Sequence, residues 1–154
     1  LLLQGSFRIK LIRIREKKPI SFAEIESIPE QLENSHKIQA LKNIAIELFA
    51  RLNEESNNLN EGIITTLKNI KQSGRVADII AGNAPLKLHE KQKILETVDL
   101  EKRFEALNEI LAEIIKRLKL ENDIRNNIQL EMDEDQRKYY LHEQLEEIKK
   151  QLGE

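Results

Sequence analysis

The sequence predicts a mostly α-helical protein that begins with two β-strands, and three observations lead to this fold class. Only 5 Gly and 3 Pro occur among 154 residues, under half of the roughly 12% that is usual for these two residues. Residues 7–11 alternate apolar and basic side chains, as a half-buried strand does. No Gly or Pro occurs between Pro85 and Gly153. The expected fold is mostly α (α+β), with remnant strands at the N-terminus, a small helical bundle and one very long projecting C-terminal helix.

Composition narrows the classes of protein to which this chain can belong. The 25 basic and 27 acidic residues give a net charge of −2, which argues against a dedicated nucleic-acid binder. No apolar run approaches the roughly 18 residues that a membrane span needs, so no membrane partner is expected. The absence of Cys excludes a disulfide framework and a thiolate zinc site, and it fits a reducing compartment.

The first predicted domain, residues 1–29, contains the two strands. The apolar and basic alternation slips at Leu11 and Ile12, and one extra residue in a bulge would restore the inward face. Residues 16–19 suit a turn, and residues 20–28 suit the second strand. A lone hairpin is not stable in water. We therefore expect these strands to close a truncated β-rich subdomain, with their basic residues on its outer face rather than on nucleic acid.

A helical subdomain is predicted for residues 30–98. Asn34 or Ser35 would be the N-cap of its first helix. The apolar residues that follow recur at spacings of three and four, which predicts an amphipathic helix with a broad buried face. These residues are Ile38, Leu41, Ile44, Ala45, Leu48, Phe49 and Leu52.

The remaining helices of this subdomain are short. The pair Ser73–Gly74 is expected to close a helix that begins after the polar residues 57–58. The next helix would span residues 75–81 and end at Gly82 in a left-handed cap before Pro85. The side chains expected to share one core are Ile44, Leu48, Ile79, Ile80, Ile94 and Leu95.

Residues 99–154 form the third predicted domain, a long helix with Asp99 as its N-cap. Two stretches keep the apolar spacing of a coiled-coil seam: Phe104, Leu107, Leu111, Ile114 and Leu118, and then Leu141, Leu145, Ile148 and Leu152. A continuous helix would be about 80 Å long, whereas a compact globule of this size is about 40 Å across. Such a helix must project, break or pack on something outside this sequence.

The candidate contact residues lie in the second of these stretches. Tyr139 and Tyr140 are adjacent, and either core packing or an exposed docking surface would account for them. On the docking interpretation, Tyr139, Leu141, Leu145 and Ile148 are expected to form one contact face with Tyr140 beside it. The partners would be an unfolded chain or another copy's helix.

Motifs for catalysis are absent from the sequence. None of the five glycines is followed by Lys, so there is no phosphate-binding loop. His36, His89 and His142 lack the spacing of metal ligands. The acidic run at 131–135 lacks the glycine of a calcium loop and suits a solvated helix face. We therefore expect no catalytic, cofactor-binding or metal-binding residue here.

Several short segments carry a resemblance to a known family. They are residues 74–81 (GRVADIIA), 85–88 (PLKL), 91–96 (KQKILE), 125–126 (RN), 136–144 (QRKYYLHEQ) and 148–154 (IKKQLGE). Together they closely resemble the N-terminal region of Lon proteases. His89 and His142 differ from the residues common in that family, at positions that do not look catalytic. The resemblance implies that the long helix leads towards a missing AAA+ ATPase module.

The resemblance also implies a function. Lon proteases are ATP-dependent AAA+ serine proteases that assemble as hexamers and degrade misfolded and regulatory proteins. This region would then recognise and deliver substrate and support the oligomer, while ATP and Mg would bind in the missing module. The bacterial cytoplasm would be its compartment, in preference to the mitochondrial matrix. A helical or coiled-coil adaptor with no link to proteolysis is the alternative that the sequence leaves open.

Overall fold

A computed structural model describes residues 5, 7–17, 20–29, 35–56 and 61–152. Within these residues the chain forms an antiparallel hairpin followed by five helices, so the mostly α fold class with N-terminal strands is confirmed. The chain divides into two units, Leu1–Ile115 and Lys116–Glu154. None of the described helices is long and apolar enough to cross a membrane.

The hairpin joins β1 (Arg8–Lys17) to β2 (Ile20–Ile28). Its register shifts between Leu11 and Arg13, which confirms the predicted bulge. Residues that pair directly across the strands share one face of the sheet. Leu11 and Ile25 therefore share one face, whereas Lys10 and Glu26 share the other, which also holds the pair Arg15 and Phe22. Lys18 and Pro19 of the predicted turn lie outside the described residues.

Helix α1 spans His36–Glu55 and begins as expected, because the Ile38 N–H donates to Oγ of the N-cap Ser35 at 3.2 Å. The predicted position of Ile44 is wrong: its side chain is 45% exposed. At 100° per residue, Ile44 lies about 120° around the helix axis from Ile38. The predicted core residue Leu48 is half-buried. The buried stripe of α1 comprises Ile38, Lys42, Ala45, Ile46, Phe49 and Leu52.

Two of the three isoleucines of α1, Ile44 and Ile46, provide a matched test of which side of the helix faces the core. Replacing Ile46, which is 4% exposed, by Ala should lower the free energy of unfolding by about 2–5 kcal/mol because a cavity remains. Replacing Ile44 by Ala should change it by less than about 0.5 kcal/mol, as for other surface positions. Urea unfolding followed by circular dichroism measures both. Equal losses for the two variants would show that the facing is wrong.

Helix α2 (Glu61–Asn69) ends before Ser73, and Ser73 and Gly74 instead begin α3 (Ser73–Asn83). The prediction that this pair closes the preceding helix is therefore wrong. Both residues are buried, and α3 packs against α1.

The C-terminus of α3 also differs from the prediction. The helix continues through Gly82, which does not adopt the left-handed conformation. The cap is Ala84, with φ −76° and ψ 151°. This extended conformation follows from Pro85, whose ring disfavours a helical residue before it. Of the predicted core residues in α3, Ile80 is buried and Ile79 is half-buried.

Helix α4 spans Leu88–Glu96 and helix α5 spans Leu100–Leu152. In α4, Ile94 is buried as predicted, but Leu95 is 52% exposed because it lies 100° further round the helix. Asp99 caps α5: its Oδ1 accepts from the Lys102 N–H at 2.8 Å. The first predicted seam of α5 is buried at Phe104, Leu107, Leu111 and Ile114.

Candidate functional site

The five predicted contact residues lie in the second unit, on α5. All are at least half exposed, in a helix whose other described side chains from residue 123 onward are also exposed. The exposed fractions are 68% for Tyr139, 60% for Tyr140, 54% for Leu141, 50% for Leu145 and 56% for Ile148. Several large apolar side chains exposed together mark an interaction surface.

Helix geometry divides these five residues between two sides of α5. At 100° per residue, Leu141, Leu145 and Ile148 lie within about 60° of one another around the axis. Tyr140 lies about 80° from Ile148 and borders the same side, whereas Tyr139 lies about 160° from Leu141, almost on the opposite side. The prediction that Tyr139 shares one face with the leucines is therefore wrong. We call Tyr140, Leu141, Leu145 and Ile148 the distal seam.

Both tyrosine hydroxyls bond along their own helix. Tyr139 Oη donates to Glu143 Oε1 at 3.2 Å, and Gln144 Nε2 donates to Tyr140 Oη at 2.8 Å. Each bond joins residues four apart, which face each other on a helix surface. The second bond aligns the Tyr140 ring along the border of the distal seam and leaves the ring exposed.

A second apolar stripe precedes the distal seam on α5. Leu120, Ile124, Ile128 and Met132 follow one another at intervals of four residues, and each is at least half exposed. A spacing of four rotates by about 40° at each step. The stripe therefore winds round the helix and does not continue into the distal seam.

In the first unit, an ion pair joins helix α1 to the start of helix α5. Lys37 Nζ in α1 pairs with Glu101 and, at 3.2 Å, with Glu105 of α5. Hydrogen bonds first to Glu101 and then to Glu105 raise the pKa of the Lys37 ammonium. In the described part of the chain, no group of three or more His, Asp or Glu side chains is placed to hold a metal ion.

Asp78 of α3 is a residue that sequence reasoning did not single out. Its carboxylate accepts two hydrogen bonds from the Arg8 guanidinium in β1, one of them 2.9 Å from Nη1 to Oδ2. Arg103 Nη1 lies 3.9 Å from the same carboxylate. Arg8 and Asp78 are 70 residues apart, so no local pattern could have found the pair.

Comparisons with known proteins agree with this architecture. A family model described as the ATP-dependent protease La (LON) substrate-binding domain matches residues 1–113. The chain is 33% identical to Lon protease of Dictyoglomus thermophilum, over 100% of this chain and 19% of that protein. It is 36% identical to Lon protease of Buchnera aphidicola, over 99% of this chain and 20% of that protein.

The match to these relatives extends beyond the region that the family model covers, but the relatives are much longer. Lon protease of Brevibacillus choshinensis is 33% identical over 99% of this chain and 20% of its own length. The chain thus spans about a fifth of the length of the curated relatives that it matches. Since the family model accounts for most of the sequence, the chain belongs to the family of LON substrate-binding domains.

Proposed function

We propose that this chain captures unfolded or misfolded polypeptides for an ATP-dependent protease of the Lon type. The ATPase and serine protease modules, with ATP and Mg, would lie in parts of the protein outside this sequence. The chain would work in the bacterial cytoplasm and support assembly of a homohexamer. The observation that carries the proposal is the distal seam, together with membership of a substrate-binding family.

An exposed seam on a helix suits the capture of unfolded chains. Unfolded proteins share exposed apolar side chains rather than a shape, so an exposed apolar surface can bind many of them. Tyr140 adds a large ring with a polar tip, and the adjacent leucines and isoleucine add apolar area. Charged residues on the rest of the helix keep such a surface in solution.

Self-association through the same seam is the second function that a specific observation favours. Leu141, Leu145 and Ile148 are separated by four and three residues, which is the spacing of a coiled-coil interface. A coiled-coil adaptor would use the seam for permanent pairing. A substrate receptor would use it reversibly, so that unfolded protein competes with self-association. The family match supports the receptor over a pure adaptor.

Removing the apolar groups of the seam tests the proposal. The paired change Leu141→Ser and Leu145→Ser should weaken binding of a reduced, alkylated test protein at least tenfold, because two exposed contact side chains are lost. It should also shift light scattering towards a smaller mass if the seam pairs copies. Thermal unfolding of the first unit should not change, since both residues lie in the second unit.

Two control variants show whether binding depends on the distal seam or on any exposed apolar side chain of α5. The paired change Ile124→Ser and Ile128→Ser removes two equally exposed apolar residues, also four apart, from the other stripe. Tyr139→Ser removes the aromatic group on the opposite side. Both controls should retain binding within about twofold. If the seam variant binds as well as the wild type, or if Tyr139→Ser is the more damaging change, the proposal is wrong.

A further inference from the structure

A cleft of about 940 Å³ lies in the first unit, between the start of the hairpin and helices α3 and α4. Phe7 and Ile28 line it from the hairpin side, Ile79 and Gly82 from α3, and Leu95 from α4. Phe7 is 72% exposed and Leu95 is 52% exposed. The cleft therefore offers apolar surface that solvent reaches.

The walls of the cleft are fixed to each other. Arg8, the first residue of β1, donates two hydrogen bonds to Asp78 of α3. Its Nε donates a third, at 3.1 Å, to the carbonyl oxygen of Leu95 in α4. One guanidinium thus ties the hairpin to both helices, and a preformed cleft loses less entropy when it binds a ligand.

Charge in the cleft is unbalanced. Its lining includes four cationic side chains (Arg8, Arg75, Lys91 and Arg103) and one acidic side chain, Asp78. Arg8 and Arg103 lie against Asp78. Arg75 is exposed. Lys91 is half-buried, and its Nζ donates one long hydrogen bond, at 3.4 Å, to the carbonyl oxygen of Gly82, which leaves its other two N–H donors for a ligand. A concave, partly apolar wall with an excess of positive charge attracts negatively charged groups.

We propose that this cleft binds an extended polypeptide segment in which apolar residues are accompanied by Asp or Glu. The proposal rests on the proposed function and adds to the distal seam a second contact site, in the first unit, with a stated substrate class. Phe7, Ile79 and Leu95 would contact the apolar side chains of the segment. Arg75 and Lys91 would pair with its carboxylates.

The rest of the chain favours a short acidic peptide over a long polyanion. The chain has a net charge of −2, whereas a dedicated nucleic-acid binder is normally basic. The cleft offers a ligand two cationic side chains, Arg75 and Lys91, which match the few carboxylates of a short peptide. Nucleic acid is therefore the rival ligand in the test.

Fluorescence anisotropy with three labelled ten-residue peptides tests the proposal. The peptides share the same Leu, Ile and Phe residues and differ at three positions, which are Glu, Gln or Lys. The wild-type chain should bind the Glu peptide at least tenfold more tightly than the Lys peptide, with the Gln peptide between them. Added salt should narrow this preference.

Variants of the cleft locate the binding. The double variant Arg75→Gln, Lys91→Gln should bind the Glu peptide at least fivefold more weakly than the wild type does. Its affinity for the Gln peptide should stay within twofold of the wild-type value. Leu95→Ser should weaken both peptides, because apolar contact is common to them. The control for the double variant is Lys93→Gln with Arg51→Gln, which removes two cationic side chains outside the cleft. The control for Leu95→Ser is Leu88→Ser, which changes a leucine of α4 that is 84% exposed and does not line the cleft.

The outcomes separate this proposal from the function on which it rests. Equal affinities for the three peptides, or an unchanged Glu preference in the Arg75 and Lys91 variant, would overturn the cleft proposal alone. Tighter binding of a single-stranded oligonucleotide than of the Glu peptide would also overturn it. If the wild-type chain binds neither the peptides nor a reduced, alkylated test protein, the proposed function itself fails.

Discussion

Replacing Phe104 by Ala is expected to lower the free energy of unfolding of the first unit by about 3–5 kcal/mol, the usual cost of truncating a core Phe. Phe104 is 0% exposed and lies near the start of α5. Its ring fills the core together with Phe49 and Ile80, which are also among the most deeply buried side chains. Ala would leave a cavity there. Urea unfolding followed by circular dichroism gives the value directly.

An exposed phenylalanine provides the control for this change. Phe22 lies in β2 and is 57% exposed, so Phe22→Ala should lower the free energy of unfolding much less than Phe104→Ala does. A loss below about 1 kcal/mol at Phe104 would contradict its place in the core, because such values are typical of surface substitutions. Equal losses at Phe22 and Phe104 would contradict it as well.

Replacing Gln129 by Pro is expected to have the second large effect. Proline removes one backbone hydrogen bond and clashes with the preceding turn, which costs about 3 kcal/mol or more inside a helix. The described side chains from residue 123 to residue 150 are all exposed. No packing within this unit offsets the cost, so α5 should break and lose circular dichroism signal at 222 nm.

The break should also weaken the capture of unfolded protein. The part of α5 that follows position 129 holds the distal seam, and a helix of about 20 residues without packing is only marginally stable in water. Gln129→Ala is the control, since it removes the side-chain bond to Asp133 and leaves the backbone intact. An unchanged helical signal in the proline variant would show that α5 is not one continuous helix.

Local features of the fold could be predicted from the sequence. The β2 strand, the bulge near Leu11 and the caps at Ser35 and Asp99 occur as expected. Each of these depends on residues that lie within a few positions of one another. The first seam of α5 could be predicted for the same reason, since its spacing of three and four defines one face of a helix.

Features that depend on distant partners could not be predicted. Lys42 is buried in α1 because its Nζ donates to the Ile70 carbonyl oxygen, 28 residues away, at 2.6 Å. A hydropathy pattern assigns such a lysine to the surface. The Arg8–Asp78 pair likewise needs the fold to bring β1 onto α3. The error at Ile44 arose because a broad apolar stripe does not show which of its edges faces the core.

The error at Tyr139 had a different origin. Tyr139 and Leu141 are only two residues apart in the sequence, but two residues turn a helix by about 200°. Without Tyr139, the distal seam covers a smaller part of the helix circumference than the predicted contact face. Its contact with substrate stays a prediction, and the position of Tyr139 opposite the seam provides an internal control.

Site-specific photo-crosslinking tests the role of the distal seam most directly. One variant carries a photo-crosslinking amino acid in place of Leu145, and a second carries it in place of Tyr139, about 120° away around the helix axis. Each is irradiated with a reduced, alkylated test protein and analysed by mass spectrometry. Capture by the seam predicts strong crosslinks from position 145 and few from position 139. Equal crosslinking from both positions, or crosslinks from position 139 alone, would contradict it.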